Sequence, residues 1–289
     1  MFGSPVNSIV YQIPVAQLES FRGRRLIVRT RHPSDLPAQL HVEDLHHVAY
    51  VQLYGLPDNV DALMHWAEGL PIDLLLDDPA QDFANLYRFA KLLDNHPVRV
   101  SLPVSTGFDK AVKLASSLQF EVRLQLGQPE ALQIELLARL LDDYLHKATV
   151  MQPIEFFHSL LLGFCNQIPV SLWAIQEEHP ALLRHVDEQG NERLPGKLAS
   201  FNPNAASSAE LNAELAKAPE RFVAEWSRSL LAEGAECSSC GFFSVCQGYF
   251  KWPRRDYQCV GVKTLFTTLE QAGDELREDL EAAAAEANP

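Results

Sequence analysis

Val98-Arg99-Val100-Ser101-Leu102 reads as a strand, Phe108 to Leu118 as a helix, and Glu121-Val122-Arg123-Leu124-Gln125-Leu126 as a second strand. Hydrophobic periodicity thus switches from two residues to about 3.6 and back within one short segment, which predicts a β-α-β unit with a parallel strand pair. Working back towards the amino end, Ile72-Asp-Leu-Leu-Leu76 is another strand, followed by a helix from Phe83 to Asn95 carrying Leu86, Phe89, Ala90 and Leu93 on one face. Val48-Ala-Tyr-Val-Gln-Leu-Tyr54 precedes it, stopped by Gly55-Leu56-Pro57, with a helix expected from Val60 to Gly69. Arg25-Leu-Ile-Val-Arg29 is the first strand, and residues 1 to 24 are a lead-in without periodicity. Forwards, a longer helix runs from Glu130 to Leu145, and Ile154-Glu-Phe-Phe157 is strand six. Strands and helices alternating at this pitch predict an α/β fold with right-handed crossovers. Six units fall short of a closed eight-strand barrel, so an open sheet or partial barrel is expected.

The pattern changes near residue 165. Asp187-Glu-Gln-Gly190-Asn191 reads as a turn between short strands, Leu183 to Val186 and Glu192 to Leu194. Phe201 to Ser208 is a Pro/Asn/Ser loop, and helices are expected over Glu210 to Ala216, Glu220 to Glu233 and Val262 to about Ala285. These observations divide the chain into 1–165, a partial (β/α) unit, and 166–289, a cysteine-bearing α+β extension.

Four of the five cysteines, Cys237, Cys240, Cys246 and Cys259, fall within 23 positions, spaced C-x2-C-x5-C-x12-C. Such clustering points to one shared task. Three chemistries compete. Four thiolates suit a 4Fe-4S cluster, whose size tolerates uneven spacing. They also suit a tetrahedral structural zinc. A disulfide is the weakest reading, because no basic start followed by a long apolar run marks a secretory signal, and in a reducing cytoplasm clustered cysteines are metal ligands more often than disulfides.

Composition narrows the classes. Hydrophobic residues make up 47% of the 289, as in ordinary soluble proteins, and no apolar run reaches a membrane span. With 24 basic against 38 acidic residues the net charge is -14, which argues against a nucleic-acid partner. A cytoplasmic location is expected.

The chain resembles the radical SAM enzymes with a C-terminal SPASM domain, which mature peptides and proteins. The resemblance rests on the six-unit alternation, on Cys237, Cys240, Cys246 and Cys259 in the family's CxxCx5C-plus-distant-cysteine pattern, and on the hairpin Asp187 to Pro195 ahead of them. It implies a partial (β/α)6 TIM-like barrel with a SPASM-like cysteine-rich extension, and these four residues as ligands of one auxiliary 4Fe-4S cluster. The departures are as informative. Thr30-Arg-His-Pro-Ser-Asp-Leu-Pro37 stands where the family's CxxxCxxC loop would follow the first strand, and no cysteine precedes Cys165. Gly55-Leu56-Pro57 stands where that family has GGEP. Gly196 replaces the cysteine expected after Pro195, and Phe250 replaces the last cysteine of a second auxiliary site. No SAM binding and no catalytic residue are therefore expected. The resemblance implies an iron–sulfur accessory protein that works beside an active radical SAM enzyme or a precursor peptide or protein substrate, by binding it or passing an electron. The alternative is a zinc-stapled four-cysteine interaction scaffold.

Other residues carry weaker signals. Cys165 sits in an apolar stretch and reads as an inert buried thiol. His46-His47 lie near Glu43-Asp44, but neighbours on a strand point to opposite faces and serve one ion poorly. Asp77-Asp78 and His32 follow strands at the edge where α/β sites sit, and Ser105-Thr106-Gly107 could hold an anion. Helix capping explains the aspartates and the Ser-Thr-Gly turn as well.

Overall fold

The computed structural model describes residues 9–199, 218–234 and 236–287. The loop expected over 201–208 and the helix expected over 210–216 lie outside them.

Nine strands form one sheet: β1 (Val10–Pro14), β2 (Arg25–Thr30), β3 (Val48–Tyr54), β4 (Ile72–Leu75), β5 (Val98–Pro103), β6 (Glu121–Gln125), β7 (Ile154–Glu155), β8 (Leu183–Val186) and β9 (Glu192–Arg193). Their order is β7-β6-β5-β4-β3-β2-β1-β8-β9. From β1 to β7 every strand pairs in parallel with its sequence neighbour, so the strand order never reverses. β8 pairs in parallel with β1, and β9 closes antiparallel against β8.

The six strands read from the sequence form where expected. Other expectations are corrected, among them the helix expected from Phe83 to Asn95, which is a 3-10 run over Phe83–Asp94. The lead-in contains β1, so Arg25–Thr30 is the second strand and not the first, and the loops after both β1 and β2 are free of cysteine. The helix expected from Val60 to Gly69 reduces to one 3-10 turn, Asp61–Leu63. There the Asn59 side chain accepts from the Asp61 N–H at 2.7 Å, and positive φ at Ala67 and Gly69 breaks the remainder. The hairpin forms around Asp187, whose Oδ1 accepts from the N–H of Gln189 and Asn191.

The two faces of the sheet differ in chemistry. Val98, Val100 and Leu102 of β5, like Val122 and Leu124 of β6, belong to the main hydrophobic core. That core includes Phe108, Ala111, Val112 and Ala115 of the helix Phe108–Ser117, at helical spacing. Alternate positions are polar: Arg29 pairs with Gln52, Gln52 with Asp73, Asp73 with Arg99, and Ser101 with Arg123. Partners in register share a face, so one side of the sheet is a continuous polar row. Covering both faces with helices would demand apolar residues on both. Here only one face is built that way.

The helix Val260–Ala287 packs along the helix Phe157–Cys165 and against Ala131–His146. The core runs without interruption from Ile13 to Leu269 and takes in Cys237 and Cys259.

Candidate functional site

The four clustered cysteines line one cavity. Cys237 lies in the 3-10 turn Glu236–Ser239, Cys240 follows it, Cys246 ends the short helix Phe243–Cys246, and Cys259 directly precedes the Val260–Ala287 helix. Phe242, Phe243, Phe250, Val262 and Phe266 complete the wall with Glu236, Lys251 and Lys263. Phe250, at the position of the missing second-site cysteine, is therefore part of this cavity's apolar lining. All five cysteines are free, so the disulfide alternative is not formed.

The turn after Cys246 is built to serve its sulfur. Gln247 and Gly248 both take left-handed φ, 49° and 74°. At Gly248 a side chain is excluded as well, since a Cβ would meet Leu230 and approach Trp226 Nε1 at 2.8 Å. The carbonyls of this turn point outwards and are held there. Trp173 Nε1 and Ser227 Oγ donate to Gln247 O at 3.2 Å each, Trp226 Nε1 donates to Gly248 O at 2.9 Å, and Lys197 Nζ donates to Tyr249 O at 2.6 Å. With the carbonyls turned out, the N–H groups of Gly248, Tyr249 and Phe250 turn towards Cys246. Amide donors of this kind favour a thiolate and tune a metal centre's outer shell.

Charge around the sulfurs is arranged similarly. Glu236 bridges two lysines, accepting from Lys251 Nζ at 2.8 Å and Lys263 Nζ at 2.6 Å. Burial pushes the thiol of Cys259 up to about 12, opposed by Lys251. Burial likewise raises Cys237 and Cys246, opposed by Lys251 at the former and by the three amides and Lys197 at the latter. Burial thus favours the thiol over the thiolate at Cys237, Cys246 and Cys259, and a metal must displace those protons to bind. Among the described residues, no group of three or more His, Cys, Asp or Glu is placed to hold a metal ion as it stands.

The segment is pinned to the sheet. Gln128, just after β6, donates to Phe250 O at 2.7 Å and Arg254 O at 2.8 Å, while Tyr257 Oη donates to Pro129 O at 2.7 Å.

Beside this centre lies a second site that the sequence reading did not single out. The polar face of the sheet holds a connected network. Gln12 Nε2 donates to Gln52 Oε1, and Gln52 Nε2 to Asp73 Oδ2, both at 2.7 Å. Ser101 Oγ and Arg99 Nε donate to Asp73 Oδ1 at 2.6 and 3.1 Å. Glu177 takes Arg99 at 3.2 Å, Tyr50 Oη at 2.5 Å and Arg123. Burial opposes charge on Asp73 and Glu177, yet the two guanidiniums hold both carboxyls below their usual range. Burial, then Arg29, pushes His185 down to about 4. Above the network is a cavity of about 340 Å3, lined by residues that include Arg29, Arg123, Gln176, Glu177, His185 and Lys197. Gly196, where a ligand cysteine was missing from the resemblance, lies in this cavity's wall. A Cβ there would collide with Glu178, so the position faces the polar cavity and has no room for a side chain. Lys197 joins the two sites, since its Nζ sits 3.0 Å from the Tyr249 ring centroid and its charge acts on Cys246.

The weaker candidates resolve simply. Cys165 is 4% exposed beneath the Val260–Ala287 helix. Asp78 caps the short helix Pro79–Asp82, accepting from Ala80 N–H at 3.1 Å. His32 is exposed, and Ser105 O accepts from Phe108 N–H at the start of the next helix. His46 and His47 lie on a 3-10 turn, Val42–His47, with ring centroids 3.9 Å apart, so the strand geometry expected for them is corrected.

Comparison of the chain with protein-family models, curated proteins and solved structures gave no match. Among the described residues, no helix is long and apolar enough to cross a membrane.

Proposed function

We propose that this chain is an iron–sulfur accessory protein, holding one 4Fe-4S cluster on Cys237, Cys240, Cys246 and Cys259 and lacking a SAM-cleaving centre. The observation that carries this reading is the convergence of four free sulfurs on one aromatic-walled cavity, with three amides turned to Cys246 and Lys251 and Lys263 beside the rest. Those donors match a group with several thiolate ligands and net negative charge. When bound, such a cluster supplies one-electron transfer. The sheet's unreversed strand order and polar inner row support the (β/α) partial-barrel reading of the first part of the chain, and the cysteine segment supports the SPASM-like reading of the last. Both strand loops where a SAM cluster would need thiolates lack them. The protein would therefore act beside a radical SAM enzyme in maturing a ribosomal peptide or protein substrate, by binding that substrate or relaying an electron.

Anaerobic isolation followed by iron and sulfide analysis tests this. The expected result is about four of each per chain, the content of one cluster. A colourless protein with one tightly bound zinc would replace the proposal with the structural-staple alternative, in which the four thiolates tie the Val260–Ala287 helix to the body.

A further inference from the structure

The cavity over the polar face of the sheet has two buried donors with nothing to donate to. Arg29 Nε and Gln176 Nε2 both lack a hydrogen-bond partner, as does the acceptor Glu178 Oε2 in the same wall, whose carboxyl burial pushes up towards its neutral form. The Gln176 side chain is 5% exposed, and its orientation is fixed because Oε1 accepts from Leu126 N–H at 2.9 Å. Nε2 is then left without a partner on a residue that lines the cavity. A buried amide N–H left without an acceptor is costly, so such a group marks a place where a ligand atom belongs.

Charge points to the same ligand. Arg99 and Arg123 are engaged by Asp73 and Glu177. Arg29 has no carboxylate within ion-pair reach among the described residues, and its guanidinium stacks on the Tyr54 ring at 4.9 Å. Arg31, at the end of β2, stacks on the same ring at 4.8 Å and is exposed, again without an acidic partner. Two guanidiniums stack on one tyrosine, that of Arg29 in the cavity wall and that of Arg31 exposed, and concentrate positive charge locally in a chain of net charge -14. His185, facing Arg29, Arg123 and Glu177, is neutral at physiological pH and adds no compensating charge.

We infer that this cavity binds a small carboxylate, its oxygens taken by Arg29 and the Gln176 amide. The volume of about 340 Å3 admits a free small acid or the terminal residue of a peptide. Both present the same chemistry to the same two donors. The inference does not rest on a metal at the cysteines, so the two readings stand or fall separately.

Isothermal titration calorimetry of the full chain tests it, with lactate and N-acetyl-glycyl-glycine as probes and lactamide and N-acetyl-glycyl-glycinamide as their uncharged counterparts. At least one carboxylate is expected to bind saturably, with its amide weaker by a factor on the order of ten or more, the worth of one charge-assisted hydrogen bond. Arg29→Gln should weaken the carboxylate by a similar factor with an unchanged melting temperature, and Arg29→Lys should restore part of it. Lactate binding identifies a free acid as the source, and binding of the peptide alone identifies a chain terminus. The inference is overturned if neither carboxylate binds, if acid and amide bind alike, or if a folded Arg29→Gln binds as the wild type does. Should Arg29→Gln fail to fold, the acid–amide comparison on the wild type decides.

Discussion

Arg99 Nε donates to Asp73 Oδ1 at 3.1 Å between residues directly in register on β4 and β5. Asp73 is 1% exposed and also takes Ser101 and Gln52, with Arg123 Nη2 3.8 Å away. One carboxylate thus neutralises part of two buried guanidiniums and ties four strands together on their polar side.

Removing it should be costly out of proportion to its size. Asp73→Ala leaves Arg99 and Arg123 with Glu177 alone, and breaking a buried pair costs about 3–5 kcal/mol. Urea unfolding of Asp73→Ala should show that loss, and Asp73→Asn, which keeps the acceptor for Ser101, a smaller one. Equal midpoints for Asp73→Ala and wild type would mean the network carries no stability.

The Cys246 turn depends on an aromatic support. Trp226 is 1% exposed, donates to Gly248 O at 2.9 Å, and packs edge-on against Trp252. Trp226→Ala is expected to cost about 3–5 kcal/mol, as large buried aromatics do. It should also release the carbonyl that keeps the amides turned to the sulfur. Thermal unfolding checks the first effect, and metal retention on dialysis the second.

His185 sets an acid limb in the stability profile. Its folded pKa, about 4, lies below the ordinary histidine value of 6.5, so the unfolded chain takes up the proton first. The contribution is complete above about pH 6.5 and is lost as pH falls towards 4, amounting to up to about 3 kcal/mol. Arg29, Arg123 and Glu177 are the charges acting on it. His185→Gln should flatten unfolding free energy between those pH values relative to wild type, measured by denaturant titration at each pH.

Cys165 separates packing from ligation. It is buried at the end of the Phe157–Cys165 helix, against the backbone of the Val260–Ala287 helix near Gly273, and does not line the four-cysteine cavity. Cys165→Ala should keep the full metal content. Cys240→Ala should lose most of it.

Much of this architecture is legible in the chain, for identifiable reasons. Strands β2 to β7 show as short apolar runs bounded by turn residues, and the four cysteines show by spacing alone. β1 escapes because Val10-Tyr-Gln-Ile-Pro is short and follows no helix, and its pairing with β2 and β8 is a long-range event. The Val60–Gly69 segment has helical spacing at Leu63 and Trp66, but the Asn59 turn and the backbone at Ala67 override it. The polar row is visible as alternation in Val98-Arg-Val-Ser-Leu and Glu121-Val-Arg-Leu-Gln, which by itself establishes only strands. A period of two with Arg, Ser, Asp and Gln on the second face signals a polar face but not its burial, which only the fold supplies. Glu177, Gln176 and Lys197, which complete that interior, come from irregular segments with no periodicity to reveal them.

The central claim is that Cys237, Cys240, Cys246 and Cys259 together hold one iron–sulfur cluster. Mössbauer spectroscopy of the anaerobically isolated, iron-labelled chain tests it most directly. The account predicts the signature of a single cluster of about four coupled irons, lost in Cys240→Ala and kept in Cys165→Ala. A folded chain without iron signal, carrying tightly bound zinc or no metal, would contradict it.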